Sequence, residues 1–148
     1  MKTLLLTLAI ATSFNAVADT SIILGGWSSH QTKDTYNFNE VHNAVGIVHN
    51  DYIVTTFKNS YYNQSVVVAK QFRFTEHNFN ELTVSTSIAL GVVSGYTEKQ
   101  LGAAYIGGGI SAYVLPTVSV KYNDFGVDFG AIPASDGFVA TANFRIYF

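Results

Sequence analysis

The side chains able to do acid–base or nucleophilic chemistry in this chain are four scattered histidines (His30, His42, His49, His77) and its serines, with no cysteine. A serine hydroxyl becomes a nucleophile when a histidine takes its proton and a third polar group orients the ring. His30 and Ser60 supply the first two parts, provided the fold brings them together. Asn59, beside Ser60, could offer backbone or amide donors to an oxyanion, and Asp34 or Glu40 could orient His30. Ser28 and His30, two residues apart on one strand face, make a second pair. Ser, Asn and His are also common at rims and turns, so the spacing permits this chemistry without requiring it. His42, His49 and His77 read as surface or turn residues. Without thiolates, and with histidines so dispersed, no zinc cluster is expected. Gly107-Gly108-Gly109 reads as a flexible loop or close-packed strand start, since no helix follows to bind phosphate. No nucleotide, metal or redox motif stands out, and no cofactor is expected.

Thirty residues separate His30 from Ser60, so tertiary topology must join them. From Gly137 onward, Phe138, Ala140, Ala142, Phe144, Ile146 and Phe148 share one face and Val139, Thr141, Asn143, Arg145 and Tyr147 the other, the period of a strand. The same alternation runs through 82–92, 110–121 and 125–131. It predicts eight strands, at 20–30, 41–49, 52–60, 64–74, 80–94, 109–121, 125–132 and 137–148. Tight turns are expected at His49-Asn50-Asp51, Thr75 to Phe79 and Tyr122-Asn123-Asp124. The other connections, around Gln31 to Glu40, Tyr61 to Asn63, Gly95 to Gly108 and Pro133 to Asp136, then share the opposite, external end. His30 ends the first strand and Ser60 the third, both at that rim. Tyr105 to Ile110 could equally be strand, and the first three strands alternate poorly. Lys70 falls in phase with the outward row of Val66, Val68, Phe72 and Phe74. On a lipid face at mid-membrane it would cost about 2–4 kcal/mol, so a bulge or a rim position is expected.

Composition narrows the setting. The chain has 148 residues, room for one domain, and only 12% are charged against about a quarter in soluble proteins, a deficit that burial or lipid contact would explain. A net charge of −2 offers no basic footprint for nucleic acid. Met1-Lys2-Thr3, the apolar run Leu4 to Ile10 and Ala16-Val17-Ala18 read as a secretory signal cleaved after Ala18, too short in its apolar core for a spanning helix. Residues 19–148 then form a single β-barrel domain. Alternation alone fits a soluble sandwich or a membrane barrel. Export, low charge and the terminal Phe144-Arg145-Ile146-Tyr147-Phe148 strand favour an all-β, eight-stranded antiparallel transmembrane barrel of the bacterial outer membrane, monomeric and facing membrane lipids. Its interior would be filled by side chains or hold one small ligand. Asp128 and Arg145, on adjacent strands, are expected to pair inside.

Phe57-Lys58-Asn59-Ser60-Tyr61 resembles the Phe-Lys-Asp-Ser-Trp stretch of the outer-membrane lipid A palmitoyltransferases, small eight-stranded barrels that move a palmitoyl chain from a phospholipid onto lipid A. Trp27-Ser28-Ser29-His30 stands where that family has a Trp and its catalytic His. The stretch Leu115 to Tyr122, then Ile132-Pro133 and the last five residues, are similar to the final third of those enzymes. The resemblance implies His30 and Ser60 as catalytic residues, with Asn59 in place of an acidic residue. It also implies Pro116 and Pro133 as the edges of a gap that admits the acyl chain sideways, each proline removing a ladder donor. Gln71 would replace a small glycine at the floor of the acyl pocket, where an unpaired buried amide would be costly. The family's N-terminal amphipathic helix and a second pair of strand prolines are absent.

Two functions follow as expectations. One is a lipid A acyltransferase with phospholipid and lipid A as its partners, Ser60 as nucleophile or polarising hydroxyl, and His30 as base, a lipid hydrolase being a variant that uses water. The other is a non-catalytic small barrel, adhesive or a degenerate scaffold, whose outer loops carry the function.

Overall fold

A computed structural model describes residues 20–134 and 136–148; the expected signal segment and its cleavage point lie outside the described residues. The chain forms a closed antiparallel barrel of eight long strands: β1 (Thr20–Gln31), β2 (Val41–His49), β3 (Tyr52–Lys58), β4 (Gln64–Phe79), β5 (Leu82–Ser94), β7 (Ile110–Tyr122), β8 (Phe125–Ala134) and β9 (Gly137–Tyr147). Neighbours in sequence pair around the wall, β5 pairs β7, and β9 returns to β1 to close it. The short strand β6 (Tyr105–Gly107) extends the outer end of β7, after the single turn of helix α1 (Glu98–Leu101).

The strand count and most boundaries agree with the sequence pattern. One connection differs: β4 runs to Phe79, so the expected turn over Thr75 to Phe79 is strand and the chain reverses at Asn80-Glu81 instead. The reason is local. Each tight turn opens with an Asn at positive φ, Asn50 at 48°, Asn80 at 57° and Asn123 at 50°, the conformation that matches a two-residue hairpin to strand twist. The first strand alternates poorly because it is bulged. Gly25 (φ 81°) and Gly26 (φ 105°) interrupt the pairing of β1 with both β2 and β9, so the inward row passes from Ser21 and Ile23 to Ser28 and His30. Gly107, which ends β6, and Gly108-Gly109, which make the turn into β7, are all at positive φ.

Every wall strand presents an exposed apolar side chain outward: Trp27, Val45, Val54, Val68, Leu90, Val114, Phe129 and Phe144. Water is a poor solvent for such a girdle, which no second sheet covers among the described residues. Lys70 lies on this outer face but pairs with Tyr52, one residue from the β2–β3 turn, and its Nζ is 5.2 Å from the Tyr52 ring and 5.6 Å from the Phe72 ring. The expected rim position is therefore observed, with a bulge at Arg73/Thr75 just beyond it.

The interior divides in two. Toward the tight turns, Arg145 Nε lies 2.9 Å from Asp128 Oδ2 and Arg145 Nη2 donates to Gln71 Oε1 at 3.0 Å, while Gln71 Nε2 donates to Ser87 Oγ at 2.7 Å. Burial of these charges is tolerated because each meets a partner. Above them Ile23, Ile53, Ala89, Val93 and Leu115 form an apolar lining, against which Phe57, Tyr113 and Ile132 pack.

Candidate active site

The long connections gather at one end of the barrel, and there the structure brings His30 and Ser60 together. His30 reaches in from the last turn of β1, and its Nε2 is 3.1 Å from Ser60 Oγ. Of the two acidic residues weighed as orienters, Glu40 takes the place: its Oε1 accepts from the His30 backbone N–H at 3.4 Å and stands 3.8 Å from His30 Nδ1. Asp34 instead accepts from the Tyr36 backbone. The His30 side chain is only 8% exposed, whereas Glu40 is 55% exposed, so the carboxylate acts on the ring from the wet side. Phe38 stacks on the other side of the imidazole, ring centroids 4.0 Å apart and nearly parallel. Tyr36, Phe38 and Tyr61 pack ring on ring at 5.1–5.6 Å, and Tyr61 meets Tyr96 edge-on at 6.2 Å. This aromatic cluster packs against the pair at the loop end.

Asn59 works differently from the expected oxyanion donor. It is completely buried; its Nδ2 donates to Ser65 Oγ (3.0 Å) and the Gly95 carbonyl (2.9 Å), and its Oδ1 accepts from the backbones of Tyr61 (2.9 Å) and Asn63 (3.1 Å). With both donors committed, the amide folds the 59–63 loop and so sets the position of Ser60 rather than meeting a substrate. Gly95 makes room for it. At φ 88°, a Cβ there would collide with the Gln64 carbonyl and lie 2.6 Å from Ser65 Oγ.

Ser60 also borders an apolar cavity of about 190 Å³ inside the upper barrel, lined in part by Trp27, Ala44, Phe57, Tyr96, Tyr113 and Leu115. Gln71 and Arg145 reach its lower end. Gln71 lines this cavity, and its amide is paired on both sides, so the anticipated cost of an unpaired group does not arise. Pro116 and Pro133 edge a break in the wall: β7 and β8 pair only from Tyr122↔Phe125 up to Thr117↔Gly130, and both prolines lie above that point. The end of the ladder lies beside Leu115 and Ile132. Gly130 fits at its base because a Cβ would come within 2.7 Å of Leu115 Cδ1.

Two features escaped the sequence reading. Tyr96, just past β5, presses its hydroxyl against Ser60, and burial pushes its pKa up to about 12 although Ser60 contacts pull the other way. It therefore stays protonated at ordinary pH. Burial, with Asp34 and then Tyr36 nearby, likewise raises Tyr61. The aromatic density of the outer loops was the available signal. His42, expected at the surface, is instead 9% exposed inside the barrel: its Nε2 is 2.8 Å from Ser28 Oγ and its Nδ1 is 2.7 Å from the Lys58 carbonyl. Its phase with inward Ala44 and Val48 on β2 would have placed it there. Ser28 and His30 share the inward face as read, but each bonds a different partner.

His49 and His77 are exposed, as read. Among the described residues no three His, Asp or Glu side chains converge as a metal site. A part-buried Ser–His pair with a carboxylate behind it, beside an apolar cavity, is an arrangement able to transfer an acyl group. No protein-family model matches the chain, and no curated protein sequence matches it either.

Proposed function

We propose that this chain is an outer-membrane acyltransferase of the lipid A palmitoyltransferase type, moving a fatty acyl chain from a phospholipid to a lipid A hydroxyl. The observation that carries the reading is the Ser60–His30–Glu40 line at the mouth of an apolar cavity, 3.1 Å and 3.8 Å between successive members. His30 Nε2 takes the proton from the attacking hydroxyl, and Glu40 stabilises the imidazolium that forms. The uncovered apolar girdle suits a bilayer, where a closed barrel pairs the backbone of its strands with one another around the wall. The gap at Pro116 and Pro133 suits entry of the chain directly from lipid. A 190 Å³ cavity falls below the roughly 300–1,000 Å³ of drug-sized pockets, so a medium-length chain fits it better than a long one.

The test is mass spectrometry of lipid A from a Gram-negative strain that lacks its own enzyme of this type and expresses the native chain or Ser60→Ala. An acyl-sized mass gain that the variant loses is the expected result. Unmodified lipid A, with the barrel folded and heat-modifiable in the outer membrane, would overturn it and direct attention to the loops of a non-catalytic barrel.

A further inference from the structure

The barrel holds a second Ser–His pair that the reading above does not use. Ser28 Oγ lies 2.8 Å from His42 Nε2, and both residues are more than nine-tenths buried. The Lys58 carbonyl, 2.7 Å from His42 Nδ1, can only accept, so Nδ1 carries the proton and Nε2 presents its lone pair to the serine hydroxyl. The tautomer is set by the fold. By contrast His30 Nδ1 makes no hydrogen bond. Ser28, His42 and Ser60 all border the same apolar cavity. The inner pair therefore stands where the acyl chain of a bound lipid would lie, and the outer pair at the rim, where an acceptor hydroxyl would arrive.

We propose that Ser28 is the acyl-carrying nucleophile and His42 its base, so that the two pairs divide two half-reactions. Ser28 Oγ bonds to the ester carbonyl carbon of the phospholipid while its proton passes to His42 Nε2. The carbonyl carbon's bond to the glycerol oxygen breaks, and His42 returns the proton to that oxygen, releasing lysophospholipid and leaving an ester on Ser28. In the second half the acceptor hydroxyl gives its proton to His30 as its oxygen bonds to that ester's carbonyl carbon; the carbon's bond to Ser28 Oγ breaks, and the proton taken from the acceptor is handed on to Ser28 Oγ, leaving both histidines neutral. This assignment rests on the acyltransferase reading for its second half only.

The first half needs no acceptor and is tested with p-nitrophenyl octanoate on the full chain folded in detergent micelles. The expected result is one octanoyl adduct in the intact mass, mapped to Ser28 by peptide analysis. Ser28→Ala should abolish it, Ser28→Cys should retain it as a thioester, and His42→Gln should slow its formation by about 10²–10⁴-fold. Heat-modifiable mobility checks that each variant folds. An adduct on Ser60, or none on the native protein or on Ser28→Cys, overturns the assignment. Lipid A acylation that persists undiminished in Ser28→Ala overturns it while sparing the acyltransferase; a Ser28 adduct without any lipid A product does the reverse.

Discussion

The two ends of the barrel use the same alternating strands for opposite purposes. At the tight-turn end, β7, β8 and β9 pair residue for residue and the interior is sealed by the Asp128–Arg145–Gln71–Ser87 chain. At the loop end the wall is interrupted: the β7–β8 ladder stops at Thr117, the β2–β3 ladder stops at Val45↔Thr56, and β1 is bulged at Gly25-Gly26. Ladder bonds lost there expose carbonyls and space, and side chains fill both. His42 takes the Lys58 carbonyl, and Asn39 donates to the carbonyls of Lys58 and Asn59. The buried ion pair thus lies at one end, and groups capable of chemistry sit where backbone pairing has been given up at the other.

If that division is real, mutations at the two ends should separate stability from activity. Arg145→Met leaves Asp128 buried without its cation and is expected to lower unfolding stability in micelles by about 3–5 kcal/mol, measured by urea titration. His30→Gln, at the other end, should cut acyl transfer by about 10²–10⁴-fold while leaving the urea midpoint unchanged. A large stability loss in His30→Gln would erase the contrast. Asn59→Ala should fall between the two, losing about 1–3 kcal/mol by stranding Ser65, Gly95 and two loop amides, with a parallel loss of transfer as Ser60 shifts. Glu40→Gln should cost transfer roughly tenfold or less, because a half-exposed carboxylate is screened by water. The smallest effect is a change of product: Gln71→Ala opens the cavity floor, and the mass of the transferred acyl group should rise while its rate changes little.

Much of the fold was legible because strand alternation is a property of neighbours in sequence. Arg145 and Asp128 could be placed on their faces from the alternation alone, and the Asp128–Arg145 pair followed from that placement, whereas Pro116 and Pro133 were singled out by the resemblance. The turn after β4 was misplaced because Thr75 to Phe79 carries polar residues that are strand here, exposed on a hairpin paired only with β5. The candidate site was half legible. His30 with Ser60 came from strand order, but the burial of His42 was hidden by a polar residue's usual preference for the surface. The real work of Asn59 depended on Ser65 and Gly95, which no spacing rule connects to it.

What the sequence determined by itself was the strand pattern: eight long strands, the two faces of the later ones, and the end at which the loops meet. Facing is decided by a two-residue period, which a sandwich and a barrel share, whereas closure rests on the pairing of β9 with β1. What only the tertiary structure decided was partnership. Whether His30 meets Glu40 or Asp34, and whether His42 meets water or Ser28, depends on inter-strand register. That register is set by the Gly25-Gly26 bulge and by where each ladder stops, and these are outcomes of the whole closed wall.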